Sequence, residues 1–195
     1  MASEDAQRWD QRYRTAFYRA GYQPRAILER ALPYLDKNGL ILDLAMGLGT
    51  NANWLSDRGF HVFGVDISSE AVFQAKNNFP KLMAAVADLN EFHFPTHSFS
   101  TVLDFYFLDR SIIKDFPRIL QPNGIAIVET LTVDMLEIRP EMPEQYLLQK
   151  GELKDLFADW TILEYEEGWR TSDRGGSKSV ASLIARLPEK NRFNQ

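Results

Sequence analysis

Five short apolar runs recur along the chain, at residues 39–45 (GLILDLA), 60–66 (FHVFGVD), 81–88 (KLMAAVAD), 100–107 (STVLDFYF) and 124–131 (GIAIVETL). Most of the segments between them carry helical spacing. Short apolar runs alternating with amphipathic stretches specify an α/β domain with a largely parallel sheet, because each crossover helix must cover a sheet face. Residues 24–36 open with Pro24, favourable in a first helical turn, and place Ile27, Leu28, Ala31, Leu32 and Leu35 on one face. TNANWLSDRG (50–59) reads as a helix stopped by Gly59, and SSEAVFQAKNNF (68–79) as one capped by Ser68 or Ser69. DRSIIKDFPRIL (109–120) is a third, shortened or kinked by Pro117, and QPNG (121–124) is a turn.

The pattern then changes. Residues 133–149 include Pro140 and Pro143 and read as irregular, a candidate lid or substrate loop, followed by a short helix at GELKDLF (151–157). WTILEYEEGW (160–169) and SVASLIARL (179–187) are strands too close together for a crossover helix. Only a hairpin joins such strands, so the sheet is expected to end in an antiparallel pair.

A chain of 195 residues with 45% hydrophobic and 25% charged residues fits one soluble domain. The formal charge of −5 offers no basic face for nucleic acid. No run approaches the ~18 apolar residues of a membrane helix, and MASEDAQRWDQRY lacks the pattern of a signal peptide. There is no cysteine, hence no disulfide, thiolate metal site or thiol nucleophile. His93 and His97 have i, i+4 spacing, but Pro95 lies between them and no metal site is expected. The expectation is a cytoplasmic domain, a monomer or weak homodimer, with residues 1–36 as a helical cap.

In an open parallel sheet, ligands sit beyond the carboxyl ends of the strands. Acids stand there repeatedly: Asp43, Asp66, Asp88 and Asp104. The loop ILDLAMGLGTN (41–51) holds Gly47 and Gly49, and Asp66 follows the second of these by 66 − 49 = 17 residues. That offset is near the ~20 at which a carboxylate reads a ribose diol. Yet the loop lacks G-x-G-x-x-G and G-K-[ST], and no Lys or Arg lies between Ile41 and Asp57. A phosphate would meet Asp43 and be repelled. A ligand with an ammonium group, a ribose and an adenine fits better, with Asp88 as acceptor for the adenine amino group.

ILDLAMGLGTN, FGVDIS, AVADLNEF and LQPNGIAIVET resemble the Rossmann-like class I S-adenosylmethionine-dependent methyltransferases over residues 39–131. WDQRY, FYFLDRSII and YLLQKGELKDLF are similar to the small tellurite-resistance branch, related in appearance to thiopurine methyltransferases. The resemblance implies a seven-stranded, mostly parallel sheet with helices on both faces and a reversed C-terminal hairpin strand. It implies S-adenosylmethionine as cofactor, S-adenosylhomocysteine as product and a small-molecule methyl acceptor. By that resemblance Asp43 orders the loop and holds the ammonium, while Ala45, Gly47, Gly49 and Asn51 lie along the methionine part. Asp66 binds the ribose, Ile67 packs on the adenine, and Asp88 and Leu89 read its edge. Trp9, Tyr13 and Phe105 enclose the cofactor, and Phe17, Tyr106, Arg110 and Glu129 are substrate-side candidates.

The family pattern E/D-x-G-x-G-x-G is broken here by Ala45, and Met46 stands where Cys is common. A methyl at position 45 is tolerated if the local backbone keeps a negative φ. Soft sulfur, selenium or tellurium nucleophiles need no general base. An O or N acceptor calls for one, with His61, Glu129 and Tyr106 as candidates. The competing reading is a non-catalytic S-adenosylmethionine-binding or interaction protein.

Overall fold

The computed structural model describes residues 4–15, 23–172 and 175–189. Helix α1 (Glu4–Tyr13) precedes a short helix α2 (Ile27–Ala31), which tightens into a 3-10 turn at Leu32–Tyr34 where Pro33 enters. There follow β1 (Leu40–Leu44), α3 (Thr50–Ser56), β2 (His61–Asp66), α4 (Ser69–Asn78), β3 (Met83–Val86), β4 (Phe99–Phe105), α5 (Arg110–Ile119) and β5 (Leu120–Leu131). The 133–149 segment contains two 3-10 turns, Val133–Glu137 and Glu144–Tyr146, and its Leu148 forms an isolated parallel bridge with Thr132. Helix α6 (Glu152–Leu156) and the hairpin β6 (Thr161–Thr171) and β7 (Ser177–Arg186) complete the domain.

The seven strands run in the order β3-β2-β1-β4-β5-β7-β6. Strands β1 to β5 pair in parallel, whereas β7 lies antiparallel between β5 and β6. The order reverses between β1 and β4, which opens a crevice at their carboxyl ends. Each sheet face has its own apolar core. Ile113, Phe116 and Ile119 of α5, with Leu153 of α6, cover one face. Ile27 and Leu28 of α2, Leu55 of α3, and Val72 and Ala75 of α4 cover the other.

Local chemistry sets the helix ends. Ser68 accepts from Ala71 N at 3.1 Å and caps α4; Asp109 accepts from Ser111 N at 2.8 Å and caps α5. Pro117 occupies the last turn of α5, where only two residues follow it, so the helix ends instead of bending. The QPNG stretch is a turn of a particular kind. It loops out inside the β4–β5 ladder, whose register jumps from Phe99↔Leu120 to Thr101↔Ile125, with Asn123 at φ +63°. No helix among the described residues is long and apolar enough to cross a membrane.

Helix α1 is fastened over the crevice by a carboxylate. Asp10 accepts from Ser68 Oγ at 2.6 Å, Ser69 Oγ at 3.0 Å and Glu70 N at 3.0 Å, at the positive end of α4. Those hydrogen bonds hold its carboxyl below the usual range against the opposing effect of burial.

Candidate functional site

A cavity of about 480 Å³ lies at the carboxyl ends of β1, β2 and β4, under α1. Its floor is the loop after β1, where residues 45, 47 and 49 all adopt left-handed backbone: Ala45 at φ +47°, Gly47 at +57° and Gly49 at +73°. The expectation of a negative φ at Ala45 is therefore corrected. The loop needs the same alternation at all three positions, and a Cβ in this region costs about 1–2 kcal/mol. Space adds to the requirement at the glycines. A Cβ on Gly47 would lie 2.7 Å from Tyr13 Oη, and one on Gly49 2.6 Å from Leu82 Cδ2. Met46 is buried with its sulfur where a Gly64 Cβ would stand, so it fills the groove that Gly64 leaves on β2.

Asp66 ends β2 and ties the loop down. Gly47 N donates to its Oδ2 at 2.7 Å and Ser68 N to its Oδ1 at 2.9 Å. Burial lifts its pKa to about 6, against the lowering effect of those two hydrogen bonds. Asp43 is 1% exposed, and its Oδ2 has no hydrogen-bond partner among the described residues. Burial, then the Asp66 charge, push its pKa up to about 8. Asp104 is fully buried, and burial followed by the neighbouring Asp43 raises it well above the carboxylate range, against the lowering effect of the Phe107 backbone N–H. Three acids thus crowd the tips of adjacent strands, and Asp43, one of whose oxygens lacks a partner among the described residues, is in the cavity lining.

The opposite wall is built differently. Tyr106 has φ +61° and donates its backbone N–H to the Glu129 carbonyl at 2.8 Å. Its hydroxyl donates to Glu129 Oε1 at 2.8 Å and accepts from Lys178 Nζ at 2.8 Å. The Arg25 guanidinium stands over the Tyr106 ring at 4.4 Å, and Arg170 Nη1 lies 3.5 Å from Glu129 Oε2. Among the described residues no group of three or more His, Asp or Glu is placed to hold a metal ion.

Known proteins are similar both in sequence over this region and in topology. Residues 41–124 match the profile of the methyltransferase domain family. A probable S-adenosyl-L-methionine-dependent methyltransferase, TehB, of Haemophilus influenzae is 28% identical over 75% of this chain and 56% of its own length. Residues 41–124 are thus similar to a methyltransferase domain.

The Eikenella corrodens protein named hemagglutinin 1 is 33% identical to the chain over 76% of it and 54% of that relative. The chain therefore spans about half the length of the curated relatives it matches. A solved S-adenosylmethionine-dependent methyltransferase from Methanosarcina mazei shares the fold, with a TM-score of 0.70 and 20% identity over 87% of this chain and 100% of that one.

Most residues singled out by the sequence converge on this cavity. Asp43, Ala45, Gly47, Asn51, Asp66 and Ile67 line it. So do Asp88, Leu89, Phe105 and Tyr106, with Trp9 and Tyr13 from α1. Several are also occupied structurally: Asn51 Oδ1 accepts from Arg25 N at 3.0 Å, and Asp88 Oδ1 from Asn90 N at 3.0 Å. Gly49 is not in the lining; it caps α3 and abuts Leu82.

Other candidates are placed elsewhere. Glu129 sits behind Tyr106 and does not line the cavity. Arg110 faces away from it, engaged by Glu152 at 2.5 and 2.9 Å and by the carbonyls of Gln145 and Leu147 at 3.1 Å. The guanidinium thus ties α5 to the 144–152 segment. His61 is exposed at the start of β2, the end of the strand remote from the cavity, so it is no base for this site. Phe17 lies outside the described residues. Sequence reading missed Arg25, Lys178, Met135 and Arg139, all in the lining. They belong to no local motif, and only the sheet topology brings the hairpin tip and the 133–149 segment to the same opening.

Proposed function

We propose that the domain binds S-adenosylmethionine in this cavity and methylates a small-molecule acceptor held against the Tyr106 wall. The observation that carries the reading is the partnerless, fully buried Asp43 Oδ2 beside a cation-free glycine loop. Such a carboxylate suits an ammonium group and repels a phosphate. Asp66 keeps acceptor capacity beyond its two backbone hydrogen bonds, since a carboxylate offers about four lone-pair sites, and would take the ribose hydroxyls. Ile67, Asp88 and Leu89 would frame the adenine. Trp9, Tyr13 and Phe105 would exclude water from the sulfonium, and the 133–149 segment would act as a lid through Met135 and Arg139.

When bound, the cofactor supplies an activated methyl group on a good leaving group. The protein then mainly holds the acceptor at near-attack distance in a dry pocket. The cavity volume falls within the usual range for small-ligand sites. Soft sulfur, selenium or tellurium acceptors and small O or N acceptors both belong to this reading.

Calorimetry and thermal shift with S-adenosylhomocysteine and NADH test it. A ligand at about 100 times its Kd stabilises by about 2.7 kcal/mol. The expected result is stabilisation by S-adenosylhomocysteine alone; stabilisation by NADH alone would overturn the reading. Binding without turnover across thiol, phenol, amine and metalloid acceptors would favour a non-catalytic binder.

A further inference from the structure

We propose that Tyr106 and Glu129 form a proton relay at the acceptor end of the cavity, set by Lys178, and that the relay suits the site to a phenolic O–H acceptor. This rests on the methyl-transfer reading above and narrows it. Tyr106 lines the cavity; Glu129 does not, and at 5% exposure it is reached from the cavity through the Tyr106 hydroxyl. The direction of the chain is determined. An ammonium has only donors, so Lys178 must donate to Tyr106 Oη, and the phenol proton is committed to Glu129 Oε1. A carboxylate at the end of an oriented donor chain is the relay's terminal acceptor.

The backbone supports the same reading. Tyr106 holds a left-handed φ of +61° that its side chain disfavours, and two hydrogen bonds to Glu129, each 2.8 Å, keep it there. Strain of this kind persists where surrounding structure over-determines it, and it clusters at functional sites. Glu129 is faced by Arg170 at 3.5 Å and Lys178 at 3.9 Å, so its charge is balanced within the wall.

Acceptor chemistry decides who needs such a device. A thiol, with a pKa of about 8.5, supplies enough thiolate at neutral pH unaided, whereas a phenol at about 10 does not. In the balanced step, the phenol oxygen forms its bond to the methyl carbon as the carbon–sulfonium bond breaks, and that electron pair stays on sulfur as a neutral thioether. The phenol proton passes to Tyr106 Oη while the Tyr106 proton passes to Glu129. Phe105, Phe107 and Trp9 line the same cavity and would stack on an aromatic acceptor.

The test compares methylation of phenol and catechol with that of thiophenol, using S-adenosylmethionine and the full chain. Glu129→Gln and Tyr106→Phe are expected to lower the phenol-to-thiophenol rate ratio about 100-fold, the scale of acid–base catalysis. Lys178→Met, which only positions Tyr106, should lower it less. Independently of turnover, the visible absorbance of 4-nitrophenol bound to the S-adenosylhomocysteine complex reports its ionisation. The Glu129 charge opposes a second anion beside it, so the midpoint should lie about one pH unit higher in the wild type than in Glu129→Gln, a tenfold effect. A ratio within threefold of wild type, an equal fall for both acceptor classes, or identical 4-nitrophenol midpoints would overturn the relay. S-adenosylhomocysteine binding with methylation of thiophenol alone, or of none of these acceptors, also overturns it and leaves the cofactor reading standing. Absence of S-adenosylhomocysteine binding overturns that earlier reading instead.

Discussion

The two ends of the cavity are built on opposite plans. The floor is made of residues that each follow a strand directly: Asp43 with its loop, Asp66 with Ile67, and Asp88 with Leu89. Its ionisable groups are acids, two of which are buried and carry raised pKa values. The Tyr106 wall joins Arg25, Tyr106, Glu129, Arg170 and Lys178, from four separate stretches of chain, and it mixes cations with a single carboxylate. A floor that follows strand ends is fixed by the sheet and suits an invariant cofactor. A wall assembled from remote segments changes with each of them.

The sharpest way to break the comparison is Asp66→Ala. It leaves the buried N–H groups of Gly47 and Ser68 without their acceptor. Each such loss costs about 1.5–3 kcal/mol, so about 3–6 kcal/mol of unfolding free energy should disappear in denaturant titrations, along with cofactor binding. A loss below about 1 kcal/mol would mean that the floor is held by something other than this carboxylate.

Asp43 tests the floor through pH. Its pKa rises from 3.8 to about 8 on folding, so its contribution to stability is most favourable below 3.8 and is lost as the pH climbs through about 8. Asp43→Asn should therefore gain stability relative to wild type progressively between those limits. It should also weaken S-adenosylmethionine binding at least tenfold, about 1.4 kcal/mol. Wild-type affinity should rise from pH 6 to pH 8, because the ionised carboxylate receives the ammonium. A flat affinity profile in calorimetry would remove Asp43 from the cofactor site.

Smaller effects sharpen the contrast. Arg110→Ala removes the tie between α5 and the 144–152 segment, an ion pair with side chains 36% and 21% exposed. After screening, it should cost about 1 kcal/mol and speed amide exchange in that segment, with cofactor affinity unaltered. The Glu152 carboxyl is held below its usual value mainly by the Arg110 hydrogen bond, so this contribution is present at neutral pH and is lost as pH falls through the lowered pKa. Ala45→Gly relieves the left-handed strain at +47° but loosens the unfolded chain. A net gain of about 0.5–1 kcal/mol is expected in thermal unfolding.

Most of the floor was legible because its signals are local. An apolar run ending in Asp43, glycines at fixed offsets and an acid closing the next run are all set by a few consecutive residues. Ala45 and Gly49 were exceptions within that region: the φ of Ala45 depends on how the loop closes against Val65 O and Asp66, and Gly49 is turned to the α3 cap and Leu82. Arg110 was misjudged for a related reason. A basic residue after a strand has the same sequence signature whether it meets a ligand or, as here, Glu152.

By itself, the sequence determined the alternation of strands and helices, the antiparallel finish forced by too short a connection, and the acids at the strand ends. Period and spacing are properties of neighbours, and neighbours are what a sequence lists. Only the tertiary structure decided that Met46 fills the groove over Gly64 and that Lys178 meets Tyr106 across 72 residues. It alone placed Glu129 behind that hydroxyl, because contacts between remote segments are set by how the sheet stacks its strands and the faces its helices cover.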